Sequence, residues 1–207
     1  MNTRIYLNDK FIEFTGAHTQ SSQDQSFKLE GGKEREKKLN EIMKNFTDEA
    51  NKNSVYLSHL DFQTALDILK KSFYYIEAAG GFIEKNNRFL FIRRHNRWDL
   101  PKGKLEKNET VTEAAVRECE EECAVKNLKI INPLPSTFHM YQYKDGYALK
   151  QSYWFYMQTD YAEKLIPQLE ESITEVEWFS KNEIESVILK DTYYTIADVT
   201  RNGLQEQ

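Results

Sequence analysis

The sequence predicts an α+β fold in which a mixed sheet is flanked by helices, with a small α/β extension ahead of it. Three observations carry this expectation. Short blocks of β-prone apolar residues recur from Tyr74 to Phe179, each bounded by turn residues. Leu39, Ile42, Met43, Phe46 and Ala50, and again Phe62, Ala65, Leu66, Leu69 and Phe73, are spaced for one face of a helix. Thr110 with Glu113, and Ser180 with Glu183, form capping boxes, each of which opens a helix.

In chain order, Arg4 to Leu7 and Phe11 to Phe14 enclose the polar cluster Asn8-Asp9-Lys10 and read as a hairpin. Thr15 to Lys38, rich in Gln, Ser, Gly, Lys and Glu, reads as a long polar loop or linker. Two amphipathic helices follow, the second N-capped by Asp61, with the strand Val55-Tyr56-Leu57 between them. A boundary is placed near Ser72, giving an extension over 1–72 and a main domain over 73–207 that is expected to fold alone. Beyond it, Tyr74 to Ile83 and Arg88 to Arg93 form a hairpin around Glu84 to Asn87, and Gly80-Gly81 marks a bulge or a close backbone approach. A Gly/Pro-punctuated loop leads into a helix from about Thr110 to Cys123. Strands are expected at 128–131, 138–143, 149–157 and 176–179, then a capped helix at Ser180 and a short one over 192–200.

The 207 residues carry 28 Lys and Arg against 33 Asp and Glu, a formal charge of −5, which offers no global field for a nucleic acid. With 40% hydrophobic and 13% aromatic residues the chain has material for a core, which excludes whole-chain disorder. Neither a leader-like start nor a run approaching ~18 apolar residues is found, so a cytoplasmic protein that does not cross a membrane is expected. Cys119 and Cys123, four apart on one helix, suit a reducing compartment.

Trp98 to Val125 is the stretch that carries chemistry. At about 100° per residue, Glu118, Glu121 and Glu122 share one helix face while Val116, Cys119 and Cys123 form an apolar stripe turned away from it. Taken alone, three glutamates on a helix are more often a solvated acidic face than a ligand set. The register of the whole stretch changes that balance. Gly103, Glu109, Arg117, Glu118, Glu121, Glu122 and Val125 have the spacing of the Nudix box, which the stretch resembles. Six specified residues at fixed spacing arise by chance in about one in 10⁵ sequences. Cys119 stands where an aliphatic is usual and Ala124 where a glycine is usual. The likeness extends over Ala78 to Ile83, Phe91 to Arg94, Trp98 to Gly103 and Ile173 to Phe179, and so covers about Tyr74 to Leu189.

The resemblance implies a Nudix-type α-β-α sandwich and a pyrophosphohydrolase using Mg²⁺, with Mn²⁺ as an alternative. It implies Glu118, Glu121 and Glu122 as metal ligands, joined by the Gly103 carbonyl, and Arg117 with Glu109 as a brace between loop and helix. The general base is then Glu118 or a loop glutamate from Glu170-Glu171, of which Glu171 is the choice; a surface acidic pair is the equal alternative for these two. Mg²⁺ suits the pattern because it takes a few carboxylates plus water and substrate phosphates rather than a closed protein cage. Phosphate contacts are sought among Lys102, Arg93, Arg94, Lys104 and Lys150, and a base-stacking ring at Tyr141 or Tyr143, sixteen and eighteen residues past Val125. That tyrosine spacing and the Trp98-Asp-Leu-Pro-Lys-Gly103 loop resemble the dinucleoside polyphosphate hydrolases of the family. The partner implied is a small nucleotide, with no nucleic acid and no membrane, and a homodimer is left open. A rival reading is a catalytically silent Nudix domain acting as a nucleotide sensor or a regulatory or interaction module, with residues 1–72 as its output module.

Overall fold

The computed structural model describes residues 3–15, 25–29, 31–48, 50–51 and 53–206. Its first half contains β1 (Thr3–Leu7), β2 (Lys10–Thr15), β3 (Gln25–Lys28), α1 (Lys33–Thr47), β4 (Val55–Ser58), α2 (Phe62–Ser72), β5 (Tyr74–Lys85), β6 (Arg88–Arg94), β7 (Arg97–Asp99) and β8 (Lys102–Lys104). There follow α3 (Val111–Cys123), β9 (Lys129–Tyr143), β10 (Gly146–Gln158), β11 (Ile173–Ser180), α4 (Lys181–Ser186) and α5 (Tyr194–Gly203). No helix among the described residues is long and apolar enough to cross a membrane.

The chain forms two compact units, one of Met1–Ile76 with Phe138–Lys150, the other of Glu77–Thr137 with Gln151–Gln207. This division departs from the expected 1–72 and 73–207, because the hairpin end of β9 and β10 joins the first unit. The reason is pairing: β1 runs parallel to β9, with Ile5 opposite Phe138 and Tyr6 opposite His139.

In the first unit the strand order is β9-β1-β2-β4-β3. The expected hairpin is β1 and β2, antiparallel, while β4 lies parallel to both β2 and β3. Alternation puts Ile5, Leu7, Ile12, Phe14, Val55, Leu57, Phe138 and Met140 on one face, where they form a core with Leu39, Ile42, Met43 and Phe46 of α1 and Ala65, Leu66 and Leu69 of α2. Asp61 Oδ1 accepts the Thr64 N–H at 3.0 Å, as its N-cap position requires. The polar stretch Thr15 to Lys38 differs from a continuous linker. Residues 16–24 and 30 of it lie outside those described, but 25–28 are a strand and the charge run from Lys33 begins α1. Lys, Glu and Arg propagate helix well when they stay on the solvent side, and the apolar spacing that starts at Leu39 anchors the other side. The helix stops at Thr47, short of Ala50, where Asp48 Oδ1 takes the Ala50 N–H at 2.9 Å.

In the second unit the order is β11-β6-β5-β10-β9, with β7 on β6 and β8 on β5. The side chains separate cleanly by strand parity. Phe82, Phe89, Phe91, Trp154 and Tyr156 pack on one face with Ile184 of α4 and Ile196 and Val199 of α5. Ala79, Ile83, Leu90, Ile92, Phe155 and Met157 pack on the other with Ala114, Ala115, Cys119 and Cys123 of α3. The result is the expected layering of helix, mixed sheet and helix. Burial raises the thiols of Cys119 and Cys123, so both stay protonated and act as small apolar side chains.

Two expected strands, 128–131 and 138–143, are one continuous β9 that runs through Pro133 and Pro135. The prolines are two residues apart, so both missing N–H groups fall on the same side of the strand, and within its unit β9 is an edge strand. Both capping boxes are formed, at Thr110 with Glu113 and at Ser180 with Glu183.

Candidate active site

The loop from Trp98 to Glu109 reaches α3 because two glycines allow close approach. A Cβ on Gly80 would lie 2.2 Å from the Pro101 carbonyl oxygen, and one on Gly103 would lie 1.9 Å from Glu118 Oε2. Without a side chain at either place, β8 lies across β5, with Ala78 to Gly80 opposite Lys104 to Lys102, and the Glu118 carboxylate fills the volume that a residue at 103 would take.

Arg117 organises three of the box glutamates. Its Nε and Nη2 form a fork on Glu109 at 2.7 and 2.8 Å, Nη1 reaches Glu118 at 2.8 Å and Glu121 at 3.1 Å, and Nη2 also donates to the Lys104 carbonyl at 3.1 Å. These hydrogen bonds hold the Glu109 carboxyl below the ordinary carboxylate range. Glu118 is displaced the other way, because burial outweighs Arg117.

Glu122 departs from the solvated face that the helical wheel gave it. It is 1% exposed, beneath β8, where its Oε2 accepts the Lys102 backbone N–H at 2.9 Å and its Oε1 faces Arg94 Nη1 at 3.4 Å. Burial pushes its carboxyl up to about 7, against the pull of Lys102 and Arg94. Arg94 also donates to Glu171 at 2.7 Å, which joins the loop glutamate to the helix glutamates. The segment before Glu171 is tied to the end of α3, since Ile166 and Gln168 donate their N–H groups to the Cys123 and Glu122 carbonyls at 3.1 and 3.2 Å. Glu171 itself lies in a short 3-10 turn with its side chain 51% exposed.

The other expected residues divide into two groups. Lys102 is present, but its ammonium is engaged with Asp99 at 2.6 Å. Arg93 lies over Trp98, 5.2 Å from the ring centre, and donates to Asn96, with Glu175 and Asp191 each at 3.5 Å. Tyr141, Tyr143 and Lys150 belong to the first unit and the box glutamates to the second. There Tyr141 stacks on His139 with ring centres 5.8 Å apart and meets Tyr143 edge-on at 6.1 Å. Sequence reasoning missed Asp99, 5% exposed, whose Oδ1 takes the Leu100 N–H at 2.7 Å while Oδ2 holds Lys102. The available signal was a lone acid in an apolar stretch three residues before a lysine.

A hard divalent cation fits this donor set, which offers carboxylate oxygens in two environments, one of them nearly dry. Among the described residues no three acidic, histidine or cysteine side chains converge at ligating distance: Glu118 and Glu121 meet at Arg117 Nη1, while Glu122 is turned to the Lys102 amide.

A family model described as the NUDIX domain matches residues 75–200. Among solved structures the chain is similar to the ORF135 protein of E. coli, at 18% identity over 65% of this chain and 92% of that one, with a TM-score of 0.49. It is similar to the MutT protein of Methanosarcina mazei Go1, at 19% identity over 65% and 96% with a TM-score of 0.49. It is also similar to a C. elegans Ap4A hydrolase, at 19% over 63% and 96% with a TM-score of 0.47.

Proposed function

The chain belongs to the NUDIX domain family, and as a pyrophosphohydrolase of that family we propose that it cleaves the phosphoanhydride of a nucleoside diphosphate derivative with the aid of Mg²⁺. The observation that carries this reading is the pairing of environments on α3: Glu118 and Glu121 gathered by Arg117, and Glu122 buried behind them on the Lys102 amide. Glu118, Glu121 and Glu122 are the proposed ligands, with the Gly103 carbonyl beside them, and Mn²⁺ suits the same oxygens. When bound, the cation supplies Lewis-acid stabilisation of charge on the phosphoryl oxygens.

The chain's own groups do the rest. Arg117, through its fork on Glu109 and its bond to the Lys104 carbonyl, fixes the loop against the helix. A water's proton passes to Glu171 Oε or Glu118 Oε, its oxygen bonds to phosphorus, and the bridging P–O bond breaks, the bridge oxygen leaving with the departing phosphate and taking the proton back from that carboxylate. Arg94, between Glu171 and Glu122, orients the Glu171 carboxylate, and Arg117 orients that of Glu118. Arg94 and Lys104 are the proposed phosphate contacts of this unit, with Lys102 and Arg93 behind them in their ion pairs.

Within this class the proposed substrate is a dinucleoside polyphosphate, on the strength of the Trp98-Asp-Leu-Pro-Lys-Gly103 loop. The test is Mg²⁺-dependent hydrolysis of diadenosine polyphosphates, ADP-ribose and 8-oxo-dGTP by the full chain, read by product identity. The highest kcat/KM is expected for the diadenosine compounds. A higher value for either rival removes the substrate proposal, and no hydrolysis of any nucleotide favours the silent sensor.

A further inference from the structure

The glutamate site needs a surface for the organic part of a nucleotide, and the two tyrosines expected to provide it belong to the other unit. The second unit has its own aromatic surface beside the motif loop. Residues 191–193 are fastened to β7: Trp98 donates its N–H to the Asp191 carbonyl at 3.0 Å, and Thr192 Oγ1 donates to the Trp98 carbonyl at 2.7 Å. The next residue on the loop side is Asp99, which holds Lys102, whose amide in turn binds Glu122. A short run of bonds therefore connects the segment to the buried ligand. At its end stands Tyr193, 36% exposed, with the Arg97 guanidinium 5.3 Å from its ring centre. Tyr193 occupies the N-cap position of α5, yet its side chain makes no capping bond, so helix initiation does not account for it. Large aromatics are uncommon at that position, where a Ser, Thr, Asp or Asn is preferred.

From this geometry we infer that the Tyr193 ring, with Arg97 across it, is the platform on which the purine base of the substrate stacks, making Tyr193 a specificity-determining residue. The inference rests on the nucleotide reading above and deepens it. A π-face with a cation beside it suits a flat heteroaromatic ring, and stacking of this kind tolerates several bases. Burial and the Asp99 carboxylate raise the Tyr193 phenol, so the ring is presented as the neutral species over the working pH range. Arg97 of β7 faces the Tyr193 ring, and Arg94 at the end of β6, which pairs with Arg97 across the two strands, reaches Glu122 and Glu171.

The test is calorimetric binding of AMP, with ribose 5-phosphate as the probe that lacks a base, to the full chain in EDTA. Tyr193→Phe keeps the ring and is expected to bind AMP within about twofold of the parent. Tyr193→Leu keeps apolar bulk without a π-face and is expected to weaken AMP by about tenfold or more while leaving ribose 5-phosphate unchanged. Equal AMP affinity for parent and Tyr193→Leu overturns the inference, and so does equal loss of both probes, which would mark a structural role. A parent that binds no AMP also overturns it, and the hydrolysis panel then decides separately whether the nucleotide reading stands.

Discussion

Burial sets Glu122 apart from Glu121, whose side chain one residue earlier is 51% exposed. The two share a sequence motif and differ in what covers them. With its carboxyl pushed up to about 7 from an ordinary 4.5, Glu122 keeps a proton in the folded protein that the unfolded chain has released. Stability of the metal-free protein therefore falls as pH rises from about 4.5 to 7, by on the order of 3 kcal/mol. Glu122→Gln removes that loss and keeps an acceptor for the Lys102 amide. In EDTA the variant is expected to match the parent near pH 4.5 and exceed it at pH 8, read by urea denaturation. Equal stabilities at pH 8 would contradict the burial argument. Spacing singles out the acidic residues, but their environments are not legible in it. A helical wheel knows nothing of β8, which covers Glu122, or of Arg117, which collects Glu118 and Glu121.

At the scale of elements, local signals worked wherever the partner was nearby in sequence. Asp61, Thr110 and Ser180 capped the helices they were expected to cap, because a cap is decided within four residues. Continuity of β9 was not legible, since proline is a breaker unless the strand is at an edge, and edges are set by tertiary pairing. The end of α3 combines both. Ala124 has φ 54, the left-handed conformation that glycine adopts freely, and its N–H bonds the Glu120 carbonyl at 2.9 Å. The departure from glycine in the box is thus a real cost, about 1 kcal/mol. Ala124→Gly is expected to raise stability by roughly 0.5–1 kcal/mol, measured as a higher urea midpoint with an unchanged slope. A lower midpoint would mean that the methyl group's packing outweighs the strain.

For the whole molecule, the unit division changes what truncation should do. A fragment of residues 73–207 keeps the box and both helix layers of the second unit, as the motif's location suggested. It also keeps Phe138, Met140 and Leu149, which are buried in the first unit's core against residues that the fragment lacks. Exposing them forfeits about 1.5–3 kcal/mol each and leaves an apolar surface. The fragment is therefore expected to aggregate, by light scattering after expression, and to be rescued by the full chain's residues 1–72. A monodisperse, active fragment would contradict the assignment of 138–150 to the first core. The sequence pattern could not reveal this, because the pairing of Ile5 with Phe138 joins residues far apart along the chain.

Turnover of the full chain with and without Mg²⁺, in the parent and in Glu122→Gln, tests the central claim that α3 carries the hydrolytic metal site. The parent is expected to hydrolyse a nucleotide substrate only with the cation. The variant, folded by its denaturation curve, is expected to lose about 100-fold or more in kcat/KM at saturating Mg²⁺. Hydrolysis by Glu122→Gln at the parent's rate, or equal parental rates in Mg²⁺ and EDTA, would contradict it.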